Sequence, residues 1–90
     1  MTVYVDDMNA KYKNLIMCHL CADTTEELYD MADKLELKRI WIQNKGMFHE
    51  HFDVSAGKKE LAIKLGAKEM TPEELVTILW ENRKSNREAV

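Results

Sequence analysis

The chain has 90 residues, 46% apolar and 32% charged, which describes one small globular domain with a modest core. Its formal charge of −3 argues against avid, sequence-independent binding to nucleic acid, which relies on clustered Lys and Arg. No apolar run approaches the ~20 residues that span a bilayer. The opening "MTVYVDDMN" lacks the basic segment and apolar stretch of a secretory signal, so no membrane attachment and a cytoplasmic location are expected.

In chain order, "TVYVD" at 2–6 alternates Val3 and Val5 against Tyr4 and Asp6, the period of a strand. The adjacent carboxylates Asp6 and Asp7 then end the strand, bind a cation or hold an arginine. "LIMCHLC" at 15–21 is a continuous apolar run and reads as a buried central strand. A link of about eight residues is too short for a parallel crossover, so the first two strands are expected to be antiparallel. Thr24-Thr25-Glu26-Glu27 is a capping box, and Leu28, Met31, Ala32 and Leu35 form the buried stripe of the helix behind it. "RIWIQ" at 39–43 reads as a third strand, parallel to the second because a helix intervenes. "MFHEHFD" at 47–53 alternates Phe48 and Phe52 against His49, His51 and Asp53, a fourth strand.

Ser55 caps a second helix packed through Leu61, Ala62 and Leu65 and stopped by Gly66. Thr71-Pro72-Glu73-Glu74 opens a third, with Leu75, Ile78 and Leu79 buried and Trp80 at the edge. Lys58, Lys59, Lys64 and Lys68, and the later Arg83, Lys84 and Arg87, read as solvated helix faces. The expectation is an α/β domain, with α+β as the variant. It is a small mixed sheet of three to four strands packed with three helices, in the order β-β-α-β-(β)-α-α. Residues 1–82 form the globular unit and 83–90 a frayed tail.

"MCHLCAD" at 17–23 poses the chemical question. A Cys-x-x-Cys metal knuckle needs a tight turn and two further ligands, and the chain has no second pair. On a strand Cys18 and Cys21 point to opposite faces. A redox pair would straddle a helix start, which the capping box sets three residues too late. Two buried thiols is the favoured reading. His19 and Asp23 sit toward the end of that strand, where open α/β sheets place ligand-binding groups; a satisfied core histidine and a helix-capping aspartate is the plainer reading. His49, His51 and Asp53 share a strand face and could chelate a divalent metal, although a short His-x-His pair is a weak signal and Asp53 could equally cap a helix. Trp41 and Gln43 could stack on and read a base, or be ordinary core and surface.

These pieces together resemble the family called domain of unknown function 4031, small proteins of bacteria and phages. The resemblance rests on "MTVYVDD", "HLCAD" with Glu27 and Leu28, "WIQ", "HFDVSAGKKELAIKLGA" and the Thr-Pro-Glu-Glu helix, nearly the whole length. It implies that Tyr4, Asp6, His19, Asp23, Trp41, Gln43, His51, Asp53 and Gly66 belong to the family pattern, whereas Cys18, Cys21 and His49 do not. It also implies a basic residue near Lys58 or Lys59, often arginine; lysine keeps the charge without the two-pronged geometry. It implies no activity.

Three functions compete. The first is binding of a small polar or phosphorylated, nucleotide-like ligand. His19, His51, Lys58 and Lys59 would then be donors, Asp23 and Asp53 would orient the histidines, and Tyr4, Asp6, Trp41 and Gln43 would complete the site. The second is a phosphoester hydrolase in which His19, Asp23, His51 and Asp53 act as acid and base. The third is an interaction module that inhibits a host protein. Oligomeric state is not legible.

Overall fold

The computed structural model describes residues 2–12 and 15–88; the side chains from 84 onward, residues 89 and 90, and hence most of the expected tail, lie outside the described residues. Five strands and three helices follow in the order β1 (Val3–Asp6), β2 (Ala10–Tyr12), β3 (Leu15–Ala22), α1 (Thr25–Lys34), β4 (Phe52–Ser55), α2 (Ala56–Lys64), β5 (Lys68–Met70) and α3 (Pro72–Glu88). The mixed sheet and three helices are those expected, with five strands rather than three or four.

β3 is the central strand. Its second half pairs antiparallel with β1 (Val3↔Ala22, Val5↔Leu20), as expected. Its first half pairs with β2 (Ala10↔Met17, Tyr12↔Leu15), inside the link read as a loop. On its other side β4 pairs antiparallel through His19↔Asp53 and Leu20↔Phe52. The parallel pair is β1 with the late strand β5.

"RIWIQ" is not a strand. Arg39–Trp41 is a single 3-10 turn, and of the expected strand Gln43 alone makes an isolated bridge, to His51. The parallel third strand predicted from it is therefore absent. The expected strand over 47–53 begins only at Phe52.

Alternation along the strands sorts the side chains onto two faces. Val5, Cys18, Leu20, Ala22, Phe52 and Val54 face one way and form the main core with Leu28, Met31, Ala32 and Leu35 of the α1 region. Tyr4 and Cys21 face the other way and meet Leu75 and Leu79 of α3. The two thiols are thus buried, unbridged and on opposite faces. Burial, reinforced by the charge of Asp6, pushes the Cys21 thiol up to about 12, which disfavours the thiolate.

The helix starts follow the capping residues. Thr24 Oγ1 accepts from the Glu27 amide at 3.2 Å, and Ser55 Oγ accepts from the Lys58 amide at 3.3 Å. Thr71 and Glu74 exchange both bonds of a capping box, at 3.1 and 3.2 Å. Gly66 takes a φ of +110°, the left-handed stop beyond α2. α2 packs more thinly than its sequence suggests: Ala62 is buried, while Leu61 and Leu65 are exposed. No helix among the described residues is long and apolar enough to cross a membrane.

A buried ion pair ties the loop before β4 to α3. The Glu50 side chain is fully buried, and its Oε2 lies 3.1 Å from Nη1 of Arg83. Glu50 also accepts from the Gly46 amide at 2.9 Å and from the Thr25 hydroxyl. Arg83 further donates to the Ala22 carbonyl at 3.0 and 2.8 Å. Sequence reading set Arg83 at the head of a solvated tail; the structure buries it.

Burial alone would raise the Glu50 carboxyl. The Thr25 hydroxyl, the Gly46 amide and Arg83 outweigh that and hold it below its ordinary value. A depressed carboxylate contributes stability that is present above the unfolded pKa and lost as pH falls through the folded one. Glu50→Gln, which strands the guanidinium, is expected to destabilise the domain by about 3 kcal/mol at neutral pH. In urea melts the gap between wild type and variant should be widest at pH 7, begin to narrow near pH 4.5, the unfolded value, and close only below the lower folded value. A gap independent of pH would show that the Glu50 charge does not matter.

Candidate functional site

β1 stops at Asp6 and β2 begins at Ala10, so the edge of β3 opposite Cys18 and His19 has no strand beside it. The Asp6 side chain fills that gap. It is 1% exposed, and its Oδ1 accepts the His19 amide at 2.9 Å and the Met8 amide at 3.3 Å. Its Oδ2 lies 2.6 Å from Nδ1 of His19. A carboxylate buried this deeply requires such partners. Burial pushes the Asp6 carboxyl up, but the His19 ring and amide outweigh it and hold it below the ordinary range. The hydrogen bond to Asp6 raises His19 above 6.5; burial opposes this, and the charges of Asp6 and Asp53 support it.

The sheet register builds the rest. One step beyond the Val5↔Leu20 pair, Asp6 stands beside His19, and His19 pairs with Asp53 across β3 and β4. One step beyond Leu20↔Phe52, His51 stands beside Cys21 on the same face as His19. Two imidazoles and one carboxylate therefore meet. The rings of His19 and His51 stand at 87° with centroids 4.8 Å apart. Asp53 Oδ1 lies 3.8 Å from Nε2 of His19 and 3.5 Å from Nε2 of His51. One ligand atom from each of the three falls within 4.8 Å of the others.

Each member is held from behind by a group that fixes which atom faces the others. His19 Nδ1 donates to Asp6. His51 Nδ1 lies 2.9 Å from the His49 carbonyl oxygen, which can only accept, so Nδ1 carries the proton. Asp53 Oδ2 accepts from Gln43 Nε2 at 2.5 Å, leaving Oδ1 toward the histidines. The two backbone bonds between Gln43 and His51, at 2.8 and 3.0 Å, hold that orienting amide in register. In the neutral rings both Nε2 atoms present lone pairs, and Asp53 presents a third acceptor.

The other expected site residues lie elsewhere. The chelating trio contains His19 in place of His49. His49 precedes the start of β4 and packs its ring against Phe48 at 4.7 Å. Its backbone carbonyl accepts from His51, its Nδ1 is buried without a hydrogen-bond partner among the described residues, and it lines the same cleft as His19 and His51. Asp23 does not orient a histidine. It accepts from the Tyr4 hydroxyl at 2.8 Å, Asn82 Nδ2 at 2.7 Å and the Thr2 amide at 3.1 Å, tying β1, β3 and α3 together. Burial first, then the hydrogen bond and charge of Asp23, push the Tyr4 phenol up to about 12.

Both lysines have structural partners. Lys58 Nζ donates to the Leu35 carbonyl at 2.6 Å, closing the end of α1, and Lys59 Nζ pairs with Glu69 at 2.8 Å. Trp41 is half exposed on its 3-10 turn, with Lys38 Nζ 5.6 Å from the ring centroid. Sequence reasoning named Asp6 as a site residue but gave its orienting role to Asp23. The signal available for Asp6 was its strand face, the one it shares with Tyr4.

A model of the family described as "Protein of unknown function (DUF4031)" matches residues 3–82. No curated protein and no solved structure matches the chain.

The separation of the two polar clusters is testable. Asp23→Asn weakens the Tyr4–Asn82 network and is expected to lower stability by about 1–2 kcal/mol, a fall in Tm of roughly 4–16 °C. The histidine ring signals of His19 and His51 in NMR spectra should not shift. Movement of those signals would place Asp23 within the same unit.

Proposed function

The chain belongs to the DUF4031 family, and we propose that it is a mononuclear metal protein whose centre is His19, His51 and Asp53. The observation that carries this reading is the convergence of three electron-pair donors, each with its far side already engaged. Three acceptors facing one another repel unless a cation or extra protons lie between them. Histidines that ligate metals donate their other ring N–H to a carboxylate or a backbone carbonyl. His19 does so to Asp6 and His51 to the His49 carbonyl.

Donors bound at about 2.0–2.1 Å in a tetrahedron stand about 3.3 Å apart. The 3.5 and 3.8 Å separations from Asp53 close to that by small side-chain rotations. Two imidazoles and a carboxylate suit a divalent first-row metal such as zinc or iron(II), and three protein ligands leave positions for water or a ligand oxygen. The metal would then supply the positive charge for an anionic ligand. This matters because Lys58 and Lys59, expected to contact phosphate, are occupied elsewhere.

A second reading has one observation in its favour. The 2.6 Å contact between His19 and Asp6 is an acid–base dyad, with Nε2 free to take a proton from water or substrate. That is the phosphoester-hydrolase alternative with Asp6, in place of Asp23, behind the histidine.

Metal-stripped protein titrated with Zn²⁺ in a calorimeter is expected to bind one ion per chain. His19→Ala, His51→Ala and Asp53→Ala should each abolish binding, and His49→Ala should retain it. Asp6→Asn, which removes the partner behind His19, should weaken binding by roughly 10–100-fold. Wild-type protein that takes up no metal, or three alanine variants that bind as wild type does, would end the metal reading and leave the dyad.

A further inference from the structure

The sheet face that carries the cluster is only partly covered by α3. Between them runs an open cleft of about 180 Å³ lined by His19, His51, Cys21, Leu75, Val76 and Leu79, with Pro72 at one end. Asp6 and His49 line it too, so four polar side chains border the cleft, two of them proposed metal ligands, and the rest of the lining is apolar. Leu75, Leu79 and Cys21 are buried members of the second core cluster. Val76 stands at the mouth, 54% exposed.

From this we infer that the ligand of the centre is a small molecule with an oxygen-rich, metal-binding head and a compact apolar body about the size of one ring. The inference rests on the metal reading and specifies its substrate class. Size supports it: an apolar cavity of about 150 Å³ accepts benzene, whereas sites that engulf larger ligands run from about 300 Å³ upward. A whole nucleotide does not fit this cleft. Its base would have to lie outside, and the base-reading residues expected from sequence do not line it: Gln43 is bound to Asp53 and Trp41 stands on its separate turn. Chemistry supports it as well. A body lodged against Leu75, Leu79 and Val76 finds apolar carbon, and the polar side chains of the lining are Asp6, His19, His49 and His51.

The test uses the full chain loaded with Co²⁺, whose visible absorption reports ligands entering the metal's open positions. Acetohydroxamate and benzohydroxamate present the same chelating head with a small and a ring-sized body. Benzohydroxamate is expected to bind at least about tenfold tighter, since apolar burial is worth roughly fourfold per methylene-sized group. Val76→Trp, which narrows the mouth, should remove that preference. Adenosine 5′-monophosphate should bind no better than inorganic phosphate. Equal affinity for the two hydroxamates in wild-type protein, with Co²⁺ bound, would overturn the inference and leave the metal reading standing. Tighter binding of the nucleotide than of phosphate would do the same. Failure to bind Co²⁺ would remove both. The wild-type comparison decides the matter even if the tryptophan variant does not fold.

Discussion

A carboxylate sealed inside a sheet has to find hydrogen-bond donors, and Asp6 finds them in one residue. β1 gives out at Asp6, so the amide of His19 on the neighbouring strand loses its backbone partner. The Asp6 side chain takes that amide with one oxygen and the His19 ring with the other. The same contact therefore completes the sheet, bridges the gap between β1 and β2, and sets the rotation of the imidazole. The positive φ of Asn9 and its bond to the Cys18 thiol help the chain cross that gap and resume pairing at Ala10.

From this fixed imidazole the rest of the site follows by register. Pairing of β3 with β4 sets Asp53 opposite His19, and the same pairing carried one step on brings His51 to the same face. The opposite face of these strands holds Leu20, Phe52 and Val54 in the main core. A slip of one residue would bury the cluster and expose the core, so the hydrophobic pattern itself protects the geometry of the polar one. Helix α3 then covers only part of the polar face. It leaves a largely apolar cleft whose polar lining includes His19 and His51. A second buried network, Glu50 with Arg83 and Thr25, anchors α3 and the loop before β4 from behind.

Much of the fold could be read from the chain because its signals are local. Thr24, Ser55 and Thr71 start their helices through their own hydroxyls, and the stripe Leu28, Met31, Ala32 and Leu35 packs as its spacing predicts. The misreadings arise where tertiary context overrides propensity. "RIWIQ" has the β-branched and aromatic composition of a strand, yet Ile40 and Trp41 are exposed on a 3-10 turn and Gln43 alone makes a bridge. β2 and β5 are three residues each and leave too little period to detect. In the site, His19, His51 and Asp53 were legible from residue type, but the choice between Asp6 and Asp23 as the partner of His19 was not. It depends on which strand lies beside β3 and where that strand ends. Arg83 was hidden for a similar reason, since its partners Glu50 and Ala22 are distant in sequence.

The central claim is that Asp6 and the His49 carbonyl hold two imidazoles with Nε2 turned toward Asp53. Long-range ¹H–¹⁵N correlation spectra of the histidine rings, recorded with and without one equivalent of Zn²⁺, address it most directly. With the ion present, His19 and His51 should both carry their proton on Nδ1 and show a metal-shifted Nε2, while His49 is unmoved. A proton on Nε2 of either ring in the zinc-loaded protein, or a response confined to His49, would contradict the account.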